Sequence, residues 1–96
     1  MKPNQPEDYK TNWYTLLREC FAQTGDDFSE MVCTLSQDGL HAMFDDDLGV
    51  IEGKPFTAWG ERYVYFPVTS DGAEWVGYAP RNPCDIVTPH QGGGQG

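Results

Sequence analysis

The sequence predicts an α+β fold, in which an N-terminal amphipathic helix packs on a small antiparallel sheet of three to four strands, with a short second helix. An apolar stripe at helical spacing lies near the N-terminus, and a dense aromatic stretch occupies residues 56–83. That stretch holds two of the three tryptophans and three of the five tyrosines. Its two extended runs flank residues 69–72, a loop ending in Asp-Gly, and this arrangement is typical of a β-hairpin.

The length of 96 residues is typical of one domain, and the apolar content of 39% is enough for a compact core. No apolar run approaches the roughly 18 residues of a membrane helix, and the N-terminus has no signal-peptide pattern. We therefore expect a single cytoplasmic domain over residues 1–96.

The first helix is predicted over residues 9–24, after a loose lead-in at residues 1–8. Its apolar side chains recur at spacings of three and four, which places them on one face: Trp13, Leu16, Leu17, Cys20 and Phe21. Either Asp8 or Thr11 can cap the start of this helix. Gly25 is placed to end it, since glycine adopts the left-handed conformation that follows many helices.

The middle of the chain predicts a short strand and a short helix within residues 30–45. Residues 26–35 fit two structures, a helical stripe and a short buried strand, and the β-branched residues together with the stop at Gly25 favour the strand. Ser36 is typical of a helix cap, and it predicts a helix from Gln37 to about Phe44. The side chains expected on the inner side of that helix are Leu40, Met43 and Phe44.

A three-stranded meander is predicted over residues 56–80, with strands at 56–59, 62–68 and 73–79. A brief additional pairing is expected at Val50 and Ile51. In the central strand one face is wholly apolar and is expected to pack on the first helix; it comprises Val64, Phe66 and Val68. The opposite face, with Tyr63, Tyr65 and Pro67, is expected to be half covered.

Prolines exclude regular structure after the meander, and Val87 is expected to pack back on the sheet. Residues 90–96 are glycine-rich and are predicted to form a flexible tail. The three cysteines are odd in number, are far apart and form no C-x-x-C pair, which argues against a disulfide framework and against a zinc site. We expect free thiols in a reducing compartment at Cys20, Cys33 and Cys84.

The net charge of −9 is concentrated in the first part of the chain. Residues 1–52 carry eleven acids against three bases, a balance of −8, whereas residues 53–96 carry four acids against three bases, a balance of −1. Such a charge repels nucleic acid and anionic membranes and attracts basic protein surfaces. We expect no direct contact with nucleic acid or with a membrane.

The acidic stretch from residue 26 to residue 47 contains no lysine or arginine. It fits either an ordinary solvated face or a surface for a basic partner, because clustered like charges repel one another unless a cation offsets them. Asp45, Asp47 and Gly49 resemble the start of a calcium loop, but the glycine falls one place early and Glu52 stands at the eighth position instead of the twelfth. We therefore expect neither a metal site nor a cofactor.

Motifs of catalysis are absent: the chain has no G-x-S-x-G, no H-E-x-x-H and no phosphate-binding loop. A Cys33–His41 pair or a Glu61–Glu74 pair can be assembled in space, as similar pairs can in any small protein. For the glutamates, charges that protect an edge strand from aggregation are the simpler interpretation. We expect a protein without enzymatic activity.

The aromatic side chains of the meander are the remaining candidates. A platform that stacks bases needs a basic frame, and only Arg62 and Arg81 lie nearby, so an interface with a protein is favoured. Trp59 and Trp75 are expected in the core. The candidate partner-binding residues are Asp26, Asp27, Glu30, Asp38, Asp45, Asp46, Asp47, Glu52, Tyr63, Tyr65 and Arg81.

Residues 52–85, EGKPFTAWGERYVYFPVTSDGAEWVGYAPRNPCD, resemble small uncharacterised proteins of bacteriophages and other mobile elements. In size and charge the chain is similar to phage-encoded inhibitors of host defence, including anti-CRISPR proteins. The resemblance implies an inhibitor in the cytoplasm of a bacterial host, acting as a DNA mimic on a basic surface of a larger protein or ribonucleoprotein complex. The alternatives are a phage structural or assembly protein that uses the sheet edge, and a small carboxylate-based, metal-dependent enzyme or module.

Overall fold

The computed structural model describes residues 10–45, 53–70 and 73–92. These residues form two α-helices, a short 3₁₀ helix and six antiparallel strands, so the predicted α+β class is confirmed. The strands form a two-stranded pair and a four-stranded sheet. No helix in the described ranges has the length and apolarity to cross a membrane.

Helix α1 spans Trp13–Thr24. Asn12 caps it, since its side-chain oxygen accepts a hydrogen bond of 2.8 Å from the Thr15 amide. Gly25 ends it as predicted, with a φ of 84° and its amide bonded to the Phe21 carbonyl. The helix starts later than residue 9 because Lys10–Thr11 forms strand β1.

The ambiguous segment contains one 3₁₀ turn, Phe28–Glu30, followed by strand β2, Val32–Cys33, so the strand favoured by the sequence is present but short. Ser36 caps helix α2, Gln37–His41, and its hydroxyl oxygen accepts a hydrogen bond of 3.1 Å from the Gly39 amide. The prediction that α2 continues to Phe44 was wrong. Strand β3, Phe44–Asp45, pairs with β1, and this turn of the chain leaves Met43 exposed rather than inward.

The four-stranded sheet has the order β2-β4-β5-β6. Strands β4 (Ala58–Trp59), β5 (Tyr63–Ser70) and β6 (Ala73–Pro80) form the predicted meander, and β2 pairs with β4 as the fourth strand. The pairing of β5 with β6 is regular along both strands, from Tyr63 opposite Pro80 to Ser70 opposite Ala73. Strand β6 therefore forms a long edge of the sheet.

The tyrosine face of β5 packs on α1, and the prediction that Val64, Phe66 and Val68 do so was wrong. The Tyr65 ring stacks on Phe21 with a centroid distance of 4.1 Å and an interplanar angle of 18°. A tyrosine ring can occupy the core when its hydroxyl group finds partners, and the sequence pattern does not reveal such partners. The buried core comprises Trp13, Leu17, Cys20, Phe21, Leu40, Phe44, Phe56, Ala58, Tyr65 and Val76.

The C-terminal segment, residues 81–92, is irregular, as its prolines predict. Val87 is 85% exposed, so the expectation that it packs on the sheet was wrong. Gln91 and Gly92 instead approach β5 and β6: a Cβ atom at Gly92 would lie 2.7 Å from the Thr69 carbonyl oxygen. The predicted loose lead-in at residues 1–8, the brief pairing at Val50 and Ile51 and the rest of the flexible tail lie outside the described residues.

Candidate protein-binding surface

The sequence predicted that Asp26 belongs to an exposed acidic surface, but the structure shows it as a buried carboxylate. Its residue is 8% exposed. It accepts hydrogen bonds from the Tyr65 hydroxyl at 2.8 Å, from the Tyr63 amide at 3.1 Å and from the Arg62 side-chain Nε at 3.2 Å. Gly60 allows this approach, because a side chain there would overlap the carboxylate. Asp26 thus ties the end of α1 to the turn before β5.

The Asp26 site favours the charged carboxylate. Burial alone would raise the pKa of Asp26, but the hydrogen bonds from Tyr65 and Arg62 and from the backbone amides outweigh burial and lower it. Arg62 also donates to the Thr24 carbonyl oxygen at 2.7 Å, so its guanidinium group bridges the end of α1 and the carboxylate.

Tyr65 is 0% exposed, which corrects its prediction as a contact residue. Its hydroxyl oxygen lies 2.7 Å from the Thr24 Oγ1 atom and 2.8 Å from the Asp26 carboxylate. Burial raises the pKa of Tyr65 strongly, and the hydrogen bond to Asp26 adds to the increase. Tyr65 therefore packs in the core, with no exposed surface.

Of the predicted acidic residues whose side chains the structure describes, three are exposed, and we call Asp27, Glu30 and Asp38 the acidic face. Asp27 caps the 3₁₀ helix, where its Oδ1 atom accepts from the Ser29 hydroxyl at 2.7 Å and from the Ser29 amide at 2.9 Å. These bonds lower the pKa of Asp27. Asp38 lies in the first turn of α2.

Tyr14 of α1 connects the two elements that carry the acidic face. Its ring meets Phe28 of the 3₁₀ helix edge-on at 5.2 Å and stacks on His41 of α2 at 4.4 Å. The Arg18 guanidinium group lies 5.7 Å from the same ring. The two elements that carry the acidic face are therefore held by packing against the Tyr14 ring and do not form a free loop.

His41 and Cys33 take part in separate contacts and do not form the catalytic pair considered from the sequence. The His41 Nδ1 atom lies 2.9 Å from the Gln37 carbonyl oxygen, so this nitrogen carries the proton and donates. The Cys33 sulfur accepts from the Leu35 amide at 3.5 Å. Both contacts are local to their own segments.

The second half of the acidic stretch is only partly described. The Asp45 backbone pairs with Lys10 in the β1–β3 ladder. Asp46, Asp47 and Glu52 lie outside the described residues, so their part in binding stays a prediction.

Tyr63 and Arg81, the other predicted contact residues, lie near the start of β5 and the end of β6. Tyr63 is half-buried, with its ring edge-on to Tyr78 at 5.3 Å. Arg81 is exposed and donates from its guanidinium group to the Gly60 carbonyl oxygen at 2.8 Å. Both residues remain accessible to a partner.

A groove of about 450 Å³ runs along β6, between this strand and residues 86–91, and we call it the edge groove. Trp75 and Tyr78 line it and are 37% and 39% exposed, so the prediction that Trp75 belongs to the core was wrong. Ile86 on its outer wall is also exposed. In the sequence, the only indication of this side of the groove is the apolar pair Ile86-Val87, which lies between Pro83 and Pro89.

The remaining reactive side chains are dispersed. Glu74, proposed in a pair with Glu61, is buried and accepts from the Gly53 amide at 3.0 Å, whereas Glu61 is exposed. Within the described ranges, no three histidine, cysteine, aspartate or glutamate side chains group in a way that could hold a metal ion. The cysteines are free thiols, and burial raises the pKa of Cys20 to about 11.

Comparisons with protein-family models, with curated proteins and with solved structures gave no match.

Proposed function

We propose that this chain is a non-enzymatic binding protein whose acidic face occupies a basic, nucleic-acid-binding surface of a larger protein or ribonucleoprotein complex. The observation that supports it most is the exposure of Asp27, Glu30 and Asp38 on two elements packed against the same tyrosine. A net charge of −9 adds long-range attraction towards a basic surface.

The acidic face is suited to recognition because the 3₁₀ helix and α2, which carry it, are already ordered before a partner binds. The hydrogen bonds from Ser29 hold the Asp27 carboxylate in one position, and the Tyr14 contacts hold the 3₁₀ helix and α2 together. Carboxylates fixed in this way lose less conformational entropy on binding than carboxylates on a free loop. Charge then speeds encounter and favours basic partners over others.

The finer proposal is that the chain is a phage-encoded inhibitor, similar to anti-CRISPR proteins, that competes with DNA or RNA on a host defence complex. It is supported by the small size of the chain, 96 residues, and by its net charge of −9. The partner must then present lysine and arginine side chains spaced for phosphate groups.

Affinity capture from bacterial lysate tests this function. We expect the wild-type protein to retain a nucleic-acid-handling protein that added DNA or RNA displaces, and the triple variant Asp27→Lys, Glu30→Lys, Asp38→Lys to lose it. The matched control is Asp85→Lys, an exposed aspartate in the C-terminal segment. Capture that survives the triple reversal, or that excess nucleic acid leaves unchanged, contradicts the proposal.

A phage assembly protein is the second candidate, and the long edge at β6 favours it. An edge strand of eight residues can pair with the same strand of another copy. Sedimentation distinguishes the two candidates, since an assembly protein forms oligomers by itself and an inhibitor of the proposed kind stays a monomer until it meets its partner.

A further inference from the structure

We propose that the edge groove binds an extended, basic segment of the partner, which adds to β6 as a fifth strand of the sheet. The inference rests on the proposed function only in taking the partner to be basic. It assigns a second contact, separate from the acidic face, to a surface formed by β6, residues 86–91 and the end of α1.

The alternation of hydrogen-bonded and non-hydrogen-bonded pairs between β5 and β6 determines which backbone groups of β6 face the groove. The Arg81 amide donates to the Arg62 carbonyl oxygen at 2.9 Å, one position beyond the Tyr63–Pro80 pair. In an antiparallel ladder, bonded and non-bonded pairs alternate. Gly77 therefore bonds to β5, whereas Val76 and Tyr78 direct their N–H and C=O groups away from it.

The pairing of β4 with β5 gives the same result for the direction of the backbone groups of β6. The Gly60 amide donates to the Tyr63 carbonyl oxygen at 2.9 Å, which places the polar groups of Tyr63 towards β4. The neighbouring positions of β5 are then the ones that face β6. Both observations give the outer edge of β6 the same two amide donors, Val76 and Tyr78.

These donors have no strand partner. Strand β6 is the last strand of the sheet, and across the described ranges no backbone hydrogen bond joins it to residues 82–92. Those residues run past the edge and leave the groove between themselves and the strand. An extended chain in the groove satisfies the edge groups in the way that strand addition does in other peptide-binding proteins.

The side chains of the groove fit an extended chain with alternating contacts. Trp75 and Tyr78 are exposed on β6, and Ile86 is exposed on the opposite wall. Trp75 and Tyr78 are three positions apart on β6, so their side chains lie on opposite faces of the sheet, and an added segment meets Trp75 with one set of alternate side chains and Tyr78 with the other. Large aromatic side chains provide much of the affinity at such contacts.

Charge at the two ends of the groove selects a basic occupant. Glu19 lines a smaller cavity of about 170 Å³ that shares Trp75 and Val76 with the groove. Glu61 lines a cavity of about 280 Å³ that shares Tyr63 and Pro80 with it. Arg62 lines this cavity too, but its guanidinium group is paired with Asp26 at 3.2 Å, which leaves the Glu61 charge unbalanced. Both glutamates are exposed, and neither has an ion-pair partner in the described part of the chain.

A second copy of the chain fits the groove less well than a basic segment. Each copy carries a net charge of −9, so two copies brought together at this edge repel one another. A segment with lysine or arginine towards both ends gains attraction at Glu19 and at Glu61 instead. The occupant is therefore assigned to a partner and not to self-association.

Selection from a displayed library of random eight-residue peptides, matched to the length of β6, tests the inference. We expect lysine or arginine to be enriched towards both ends of the selected peptides. The strongest peptide is then synthesised and titrated into the ¹⁵N-labelled protein, where we expect the largest amide shifts at Val76 and Tyr78. Methylation of alternate peptide nitrogens abolishes binding if backbone pairing is the mode.

Matched variants separate the groove from the acidic face. The double variant Glu19→Gln, Glu61→Gln should weaken the selected peptide about fivefold, as expected for the loss of two exposed ion pairs. Glu30→Gln, on the acidic face, should leave the peptide affinity unchanged. The inference fails if the selected peptides lack basic residues, if their shifts map to the acidic face, if methylation has no effect, or if no peptide is selected.

The experiments give different results for a failure of strand addition at β6 and for a failure of the proposed function. Peptides that map to the acidic face contradict strand addition while leaving the proposed function standing. Peptide binding at β6 together with unchanged lysate capture by the triple-reversal variant supports strand addition and contradicts the acidic face as the main surface. If the protein alone forms a dimer, and the amide signals of Val76 and Tyr78 shift on dimerisation, the edge binds a second copy and the inference is overturned.

Discussion

The hydroxyl group of Tyr65 donates a hydrogen bond of 2.8 Å to the Asp26 carboxylate, at a point where neither residue is appreciably exposed. The pair joins the central strand of the meander to the end of α1. It removes two residues from the expected binding surface and explains why a tyrosine, rather than the neighbouring aliphatic side chains, faces the helix.

Replacing Tyr65 with phenylalanine should destabilise the protein by about 1–2 kcal/mol, because the ring still fills the core while Asp26 and Thr24 lose a buried hydrogen-bond partner. Urea unfolding measures the change. The control is Tyr63→Phe on the same face of β5, which should change the free energy of unfolding by less than about 0.5 kcal/mol. Equal effects of the two variants would show that the Tyr65 hydroxyl has no special role.

The Asp26 carboxylate should make stability depend on pH in the acid range. Its pKa in the folded protein is lowered from 3.8, so the stabilisation is fully present above that value and is lost as the pH falls through the folded pKa. Asp26→Asn should cost about 1–3 kcal/mol near pH 7, a range reduced because the partner Arg62 is largely exposed.

The pH dependence is tested by the difference between wild type and Asp26→Asn. Unfolding free energies measured with urea at about pH 7 and about pH 3 should differ less between the two proteins at the lower pH. A difference that stays constant would show that the Asp26 charge does not contribute.

Gly77→Ala should destabilise the sheet by about 1–3 kcal/mol through overpacking. A Cβ atom at this position would lie 2.7 Å from Val68 Cγ2 and 2.8 Å from Phe66 Cε1. Gly39→Ala in α2 is the control, since its nearest neighbour is the Leu35 side chain at 3.3 Å and alanine favours the helix. Thermal unfolding of both variants checks the prediction, and a neutral Gly77→Ala would contradict the packing described for this face.

The cysteines should differ in their rates of alkylation. Cys84 is exposed and should react with iodoacetamide in the native protein, whereas Cys20 is buried with a pKa of about 11 and should react only after unfolding. Peptide mass spectrometry after a timed reaction measures the modified fraction at each site. Rapid native modification of Cys20 would contradict its place in the core.

Local signals predicted much of the fold. The apolar stripe of α1, the left-handed Gly25 and the Ser36 cap each depend on neighbouring residues, so they can be recognised in the sequence. The buried face of β5 could not be recognised in that way. It depends on Asp26 and Thr24, about forty positions from Tyr65 in the chain, which supply partners for its hydroxyl group.

The candidate site was predictable only in part for the same reason. Charge pattern identified Asp27, Glu30 and Asp38, but it cannot separate them from Asp26, whose burial depends on the turn before β5. The edge groove depends on where residues 86–91 return to the sheet, and irregular segments have no periodic pattern that predicts their path.

Binding through the acidic face is tested best by the salt dependence of partner affinity. The dissociation constant of the captured complex is measured over a series of salt concentrations for wild type and for the triple variant Asp27→Lys, Glu30→Lys, Asp38→Lys. We expect wild-type affinity to fall steeply with salt and the variant to bind far more weakly at low salt. Equal affinities for the two proteins, with the same shallow dependence on salt, would rule out binding through the acidic face.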